Sequence, residues 1–386
     1  MYNKKSVFIA ACLGMLLFGI VMISLGTINT FLTAKFHLNE MTVGSLAALL
    51  PIGILAGSLV FGPIVDRYSY KNLLIICSLL VFIALEGIAL ASSFLILQFA
   101  FFIIGFGGGI INGGTNALVA DISSEGKGAN LSLLGVFYGV GALGMPAVTG
   151  LLSKYYSYEA IITGISFIIF IPVIYFIFIK FPVPKQPQGL PIKKALGLIK
   201  EGSLILLGFI LFFESGLEGS VNNWTTTYLI KGNGISSENA LFTLTVLAIS
   251  LTVTRLILGG LLKKIPSYIV LYSCIIIAMA GSIILLTGNT ITTSIISMIF
   301  LGIGFAAAFP VILGYIGDIY KNLSGTAFSI ALVIALLGNT LINYSIGIIS
   351  QNYGIQKFPV VLIISLIIMT VLLSISLKTI SNKTKI

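Results

Sequence analysis

The segment Val119–Ser153, VADISSEGKGANLSLLGVFYGVGALGMPAVTGLLS, returns in outline at Ile316–Ser350, IGDIYKNLSGTAFSIALVIALLGNTLINYSIGIIS. At this constant offset of 197 residues Asp121 falls on Asp318, Gly128 on Gly325, Gly141 on Gly338 and Gly150 on Gly347. The register extends outward: Gly105 meets Gly302, Gly107 meets Gly304, Gly62 meets Gly259 and Gly19 meets Gly216. With 42 glycines in the chain some coincidences are expected, but a linked aspartate pair in unbroken register marks a true internal repeat. The chain is two halves of one design.

Composition sets the solvent of that design. Hydrophobic residues make up 58% of the 386 and charged residues 8%, too little polar surface to cover a water-soluble globule. A helix needs about 20 apolar residues to cross the hydrocarbon core. The sequence divides into twelve such runs, near 6–31, 43–65, 72–92, 94–122, 128–152, 158–181, 203–231, 237–262, 267–287, 291–318, 322–350 and 356–379. They are continuously apolar rather than alternating, which excludes a transmembrane β-barrel. The expected fold class is therefore an all-α membrane protein of twelve transmembrane helices in two pseudo-symmetric six-helix halves, residues 1–181 and 203–386, joined by a Pro- and Lys-rich linker at 182–202. The first run is longer than the apolar core of a signal peptide and lacks a small-x-small cleavage site, so it counts as a spanning helix.

Basic residues orient the chain, because cytoplasmic loops retain Lys and Arg. With the N-terminus inside, sixteen of the 21 basic residues lie in inner segments, and four, Lys35, Lys154, Lys231 and Lys357, in outer loops. The remaining one, Arg255, lies well inside a run. Both termini are thus expected on the cytoplasmic side, and the formal charge of +10 is a topology signal. Its dispersal over helix ends excludes a nucleic-acid-binding stripe. Cys12, Cys77 and Cys274 stand singly in apolar runs and imply neither a disulfide framework nor a metal site. His37, the only histidine, lies in the first outer loop. With no nucleophile motif and no phosphate loop, no enzyme is expected, and no cofactor beyond a coupling H+ or Na+.

Charges inside a span cost about 2.5–3.5 kcal/mol each on insertion scales, so each needs a reason. In FFESGLEGSVNNW, Phe212–Trp224, Glu214 and Glu218 stand one helical turn apart. Counted from Ser203 they lie roughly 16 and 22 Å deep, bracketing the midplane. They share one face, where a single water-filled cavity can solvate both, and are expected to bind the coupling cation. Asn112 with Asn116, and Asn339 with Asn343, repeat the same spacing and suit a polyhydroxylated ligand, although amides of this kind also serve to join helices. Trp224, with Asn222 and Asn223 before it, offers a flat face for a sugar ring or an anchor at the membrane interface. Tyr138 is a further candidate for ligand contact. Glu86 is expected to be structural.

The loop GPIVDRYSYK, Gly62–Lys71, resembles the signature Gly-x-x-x-Asp-Arg/Lys-x-Gly-Arg-Arg/Lys of the major facilitator superfamily: Gly62, Asp66, Arg67 and Lys71 fit, while Ser69 and Tyr70 depart from it. The resemblance implies alternating access about a site between the halves, with Asp66 and Arg67 latching the cytoplasmic side; Asp121, Asp318 and Arg255 are grouped with that gate. Glu218, Trp224, Thr227, Tyr228 and Leu229 look like the seventh helix of the fucose, hexose and sodium-glucose branch, and Tyr138, Gly139, Gly141, Ala142 and Pro146 like its fifth. Gly135 stands where branch members often carry a polar residue, and helix one carries no acid, so any coupling falls to Glu214 and Glu218. The resemblance implies a monomeric, cation-coupled importer of a monosaccharide or similar small polar solute, surrounded by lipid bilayer in the cell membrane. A drug exporter is the competing reading; Gly135 and Gly144 fit the exporter spacing in helix five, but Val148 replaces its next glycine. A non-transporting membrane sensor is the other.

Overall fold

The computed structural model describes residues 2–38, 40–184 and 197–384, so most of the expected linker lies outside the described residues. Among them are twelve helical spans: Lys4–Asn29, Thr42–Arg67, Tyr70–Ala89, Phe94–Ile122, Lys127–Leu152, Tyr158–Phe178, Gly202–Gly232, Ser237–Leu261, Ser267–Thr287, Ile291–Ile319, Lys321–Tyr353 and Ile355–Thr379. They are numbered one to twelve below. A helix satisfies its own backbone hydrogen bonds, which hydrocarbon cannot do, and that is why apolar runs of this length fold this way. Large apolar side chains such as Ile83, Phe99, Leu256 and Ile276 are left exposed on the spans, as lipid-solvated helices require. Cys12, Cys77 and Cys274 are buried free thiols.

The expected uniform spans are broken at two places. Span six divides into Tyr158–Ile168 and Phe170–Phe178, and span ten into Ile291–Phe305 and Ala308–Ile319. Pro172 and Pro310 have no N–H to donate to the carbonyls four residues earlier, at Ile168 and Ala306, and the breaks fall there. Pro51, Pro63 and Pro146 sit within continuous helix. Ser69, one of the departures in the loop signature, accepts a hydrogen bond from the Lys71 backbone N–H at 3.1 Å and caps span three.

The repeat reappears as packing. A β-carbon at Gly141 would collide with the Leu16 carbonyl and lie 3.2 Å from the Gly19 Cα, so spans one and five cross backbone to backbone. At the offset positions, a β-carbon at Gly216 would lie 2.9 Å from the Gly338 carbonyl oxygen, and one at Gly338 would collide with Phe212. Spans seven and eleven cross in the same way. Gly105 closes on the Leu50 carbonyl in span two, and Gly302 on the Leu247 carbonyl in span eight, again a pair at the offset. Three of the glycine pairs matched in the sequence, Gly19 with Gly216, Gly141 with Gly338 and Gly105 with Gly302, are helix-crossing points, whereas Gly150 has open space around it.

Two compact units result, each built mainly from one half. The first gathers spans one to four, span five from Phe137 onward, span six and the short segment Tyr320–Ser329; the second gathers Glu125–Val136, spans seven to ten and the chain from Ile330. Each unit therefore takes the first turns of one span, five or eleven, from the other half of the sequence.

A valine at Gly338 is expected to cost about 1–3 kcal/mol by overpacking. In detergent, thermal unfolding followed by size-exclusion should place Gly338→Val clearly below wild type. Gly26→Ala, with nothing within 4 Å of its β-carbon, should match wild type. Equal melting of all three proteins would contradict the crossing assignment.

Candidate functional site

Within the second unit the charged residues of spans seven and eight converge. Glu218 and Arg255 form an ion pair, Arg255 Nη2 donating to Glu218 Oε2 at 3.3 Å. Arg255 is 6% exposed and the Glu218 side chain 23%. Span five holds the arginine from behind: Ser132 Oγ donates to the Arg255 carbonyl at 2.7 Å. Gly135 leaves room for the side chain, since a β-carbon there would stand 3.0 Å from Arg255 Cδ. The position where the related branch often carries a polar residue is thus filled by a guanidinium from another span. Arg255, which the sequence groups with the gate, is ion-paired here with a carboxylate of span seven.

Glu214 is buried more deeply, at 1% exposure, and among the described residues neither of its carboxylate oxygens has a hydrogen-bond partner. Arg255 Nε, also buried, has none either. The site therefore holds two carboxylates and one guanidinium, with one pair made and complementary atoms of the other groups unused.

Next to it runs a ladder of amides. Trp224 Nε1 and Asn223 Nδ2 both donate to Asn343 Oδ1 at 3.1 Å. Asn343 Nδ2 donates to the Asn339 carbonyl at 2.8 Å, and Asn339 Nδ2 to the Ser215 carbonyl at 3.0 Å. Gly219 leaves space for the Asn339 amide, and the Trp224 ring lies along Gly347. Asn339 and Asn343 thus tie span eleven to span seven, and the Trp224 donor is already taken. Asn222, donating to the Glu218 carbonyl at 2.8 Å, and Asn223 remain exposed.

In the first unit Asn116 Nδ2 donates to the Asn112 side-chain oxygen at 3.0 Å, with both residues buried. Tyr138 packs against Phe18, ring centroids 5.7 Å apart. Glu86 accepts hydrogen bonds from Ser166 and Thr163 and joins spans three and six.

At the opposite ends of the spans Asp66, 1% exposed, accepts from the Gly325 N–H at 3.2 Å, the Thr326 N–H at 2.9 Å and the Thr326 hydroxyl at 2.7 Å. A carboxylate on the free N–H groups of a helix start is favoured by the helix dipole as well. Gly62 permits the approach, since a β-carbon there would stand 2.6 Å from the Gly325 carbonyl oxygen. Asp121 accepts from Tyr70 at 2.6 Å and Ser324 at 2.7 Å. The Arg67 guanidinium lies over Tyr68, 5.1 Å from the ring centroid. Lys71 Nζ donates to the Ile177 carbonyl at 2.6 Å. In the second unit Asp318 pairs with Lys127 at 2.9 Å.

Sequence reasoning missed Lys127, Ser324 and Thr326, and the part Gly135 plays. The offset would have found two of them, because Lys127 and Ser324 are repeat mates just as Asp121 and Asp318 are.

Twelve spans in two repeats, with paired charges held within the spans, define a membrane carrier. The model of the Major Facilitator Superfamily matches residues 7–342, and the chain belongs to that family. It is an integral multi-pass membrane transporter. The glucose/mannose transporter GlcP of Bacillus subtilis is 22% identical over 347 residues, 85% of this chain and 84% of GlcP. The E. coli fucose:proton symporter FucP, solved in the outward conformation, superposes with a TM-score of 0.79 at 16% identity, covering 96% of this chain and 98% of FucP. The proton:xylose symporter XylE, bound to 6-bromo-6-deoxy-D-glucose, gives 0.79 at 16% identity, covering 97% and 95%.

Trp224 is the only tryptophan and reports on the amide ladder. Asn343→Ala is expected to leave the indole N–H without its partner, at a cost of about 1–3 kcal/mol. Its emission maximum should shift from wild type while Thr340→Ala, an exposed neighbour, leaves it in place. An unchanged spectrum in Asn343→Ala would contradict the assigned contact.

Proposed function

We propose that this transporter takes up a monosaccharide or similar small polar solute by cation-coupled alternating access. The observation that carries the coupling is the trio Glu214, Glu218 and Arg255: charges this deep in spans are costly, and neutral amides would join helices more cheaply. Support for a sugar comes from the printed specificities of GlcP, FucP and XylE.

On this reading Glu214 and Glu218 bind the cation from outside. Asn112, Asn116, Tyr138, Asn222, Asn223 and the face of Trp224 hold the ligand, while Asn339 and Asn343 set the position of span seven. The basic ends of the spans are assigned to the cytoplasm by the sixteen-to-four distribution of Lys and Arg. There the Asp66 contact with the first turn of span eleven must part for inward release.

Purified protein in liposomes is expected to accumulate radiolabelled D-glucose or a related monosaccharide against its gradient when an inward H+ or Na+ gradient is imposed. Glu218→Gln should abolish accumulation. If D-glucose, D-mannose, L-fucose and D-xylose all fail to enter while a gradient drives dye out, the reading is wrong and the exporter alternative takes its place.

A further inference from the structure

In the second unit a cavity of about 180 Å³ opens at the start of span five, among Lys127, Gly128, Ala129, Ser267, Gly314 and Tyr315. We propose that it is a binding site for a phosphate group, carried by an anionic lipid headgroup or by a free phosphate ion. The site lies apart from the charged trio and implies nothing about which solute is carried.

The repeat indicates the charge that belongs there. In the first unit the start of span eleven, Ser324, Gly325 and Thr326, is closed by the Asp66 carboxylate, and the buried Tyr70 sets its hydroxyl on Asp121. At the offset of 197 the same places are taken by Lys127, Gly128 and Ala129, with Lys263 for Asp66 and Ser267 for Tyr70. The second unit thus has neither the acid nor the ring at the matching helix start, and the cavity lies where they would be. Gly314 adds to it. Its mate is Ala117, and a β-carbon at Gly314 would stand 3.1 Å from the Gly128 nitrogen.

The first N–H groups of a helix have no acceptor within it, and among the described residues none outside it meets those of Lys127, Gly128 and Ala129. They carry the positive end of the helix dipole, which favours phosphate. Lys127 is 7% exposed; its ammonium donates to the Gly317 carbonyl at 2.7 Å and pairs with Asp318 at 2.9 Å, and an ammonium has a third proton to give. The Ser267 and Tyr315 hydroxyls also line the space. Lys263 is exposed at its edge, its Cγ 3.9 Å from where a β-carbon of Gly126 would stand. The acid among the lining residues, Asp318, opposes an anion, but it is 57% exposed to water and already offset by Lys127. Donors therefore come from spans five, nine and ten together, a set that the several oxygens of a tetrahedral phosphate can meet and a planar carboxylate cannot. The basic ends assigned above to the cytoplasm lie at headgroup level, where anionic lipids concentrate.

Thermal unfolding of the purified protein in detergent tests the site with two probes: inorganic phosphate against chloride at equal ionic strength, and phosphatidylglycerol against phosphatidylcholine in the micelle. Phosphate stabilises many proteins by exclusion from their surface, so the reading is the difference between wild type and variants. Gly314→Ala sets a methyl group against the Gly128 N–H, and Lys263→Asp gives span eight the acid that Asp66 supplies in the first unit. In both, the probe concentration for half of the stabilisation should rise about tenfold or more, the loss of one charge-assisted hydrogen bond, while Lys4→Gln matches wild type. Where either variant fails to fold, Ser267→Tyr, which places the ring of the first unit in the cavity, takes its place with the same expected loss. A response to phosphatidylglycerol without one to phosphate makes the occupant a lipid headgroup, and a response to phosphate shows that the free ion suffices. No response of wild type to either probe, or the same response in wild type and the variants, would overturn the proposal.

Discussion

A charge within a membrane span must find either water or an opposite charge, and the second unit of this protein holds two carboxylates against one guanidinium. That mismatch organises the site. One guanidinium balances the charge of one glutamate only, and in this structure Arg255 is paired with Glu218. Glycines at 135 and 219 make room for the polar groups that surround the pair, Arg255 at the first and Asn339 at the second. The amide ladder from Trp224 to Ser215 then fixes span seven against span eleven, so the glutamates are presented from a braced helix.

The repeat supplies the frame and departures from it supply the chemistry. At the offset positions, Glu214 and Glu218 correspond to Leu17 and Val21, and Arg255 corresponds to Ser58. The crossings at Gly19 with Gly141 and at Gly216 with Gly338 hold both halves to one geometry, while the trio of Glu214, Glu218 and Arg255 has no charged mates at the offset. The basic ends follow the same logic. Asp121 faces Ser324 and Asp318 faces Lys127, equivalent contacts with different chemistry. Asp66, whose counterpart is Lys263, has no acidic mate, so capping by an acid from a neighbouring span occurs at the start of span eleven.

The spans were legible in the sequence because hydrocarbon thickness imposes a length and backbone satisfaction imposes a helix. The glycine register was legible because a close crossing tolerates no side chain. The candidate charges were also visible, since so few exist. What could not be read was who faces whom: nothing periodic in the separation of 37 positions from Glu218 to Arg255 places them together. Asn339 and Asn343 were visible as a pair, but whether an amide holds a ligand or a neighbouring helix depends on packing. Breaks at Pro172 and Pro310, and none at Pro51, Pro63 or Pro146, likewise depend on what neighbouring spans enforce.

The pairing of Arg255 with Glu218 rather than with Glu214 is the contact on which the site depends. Double-mutant cycles on thermal unfolding in detergent read it directly. Arg255→Gln with Glu218→Gln should show the larger coupling, and a larger coupling of Arg255→Gln with Glu214→Gln would contradict the assignment.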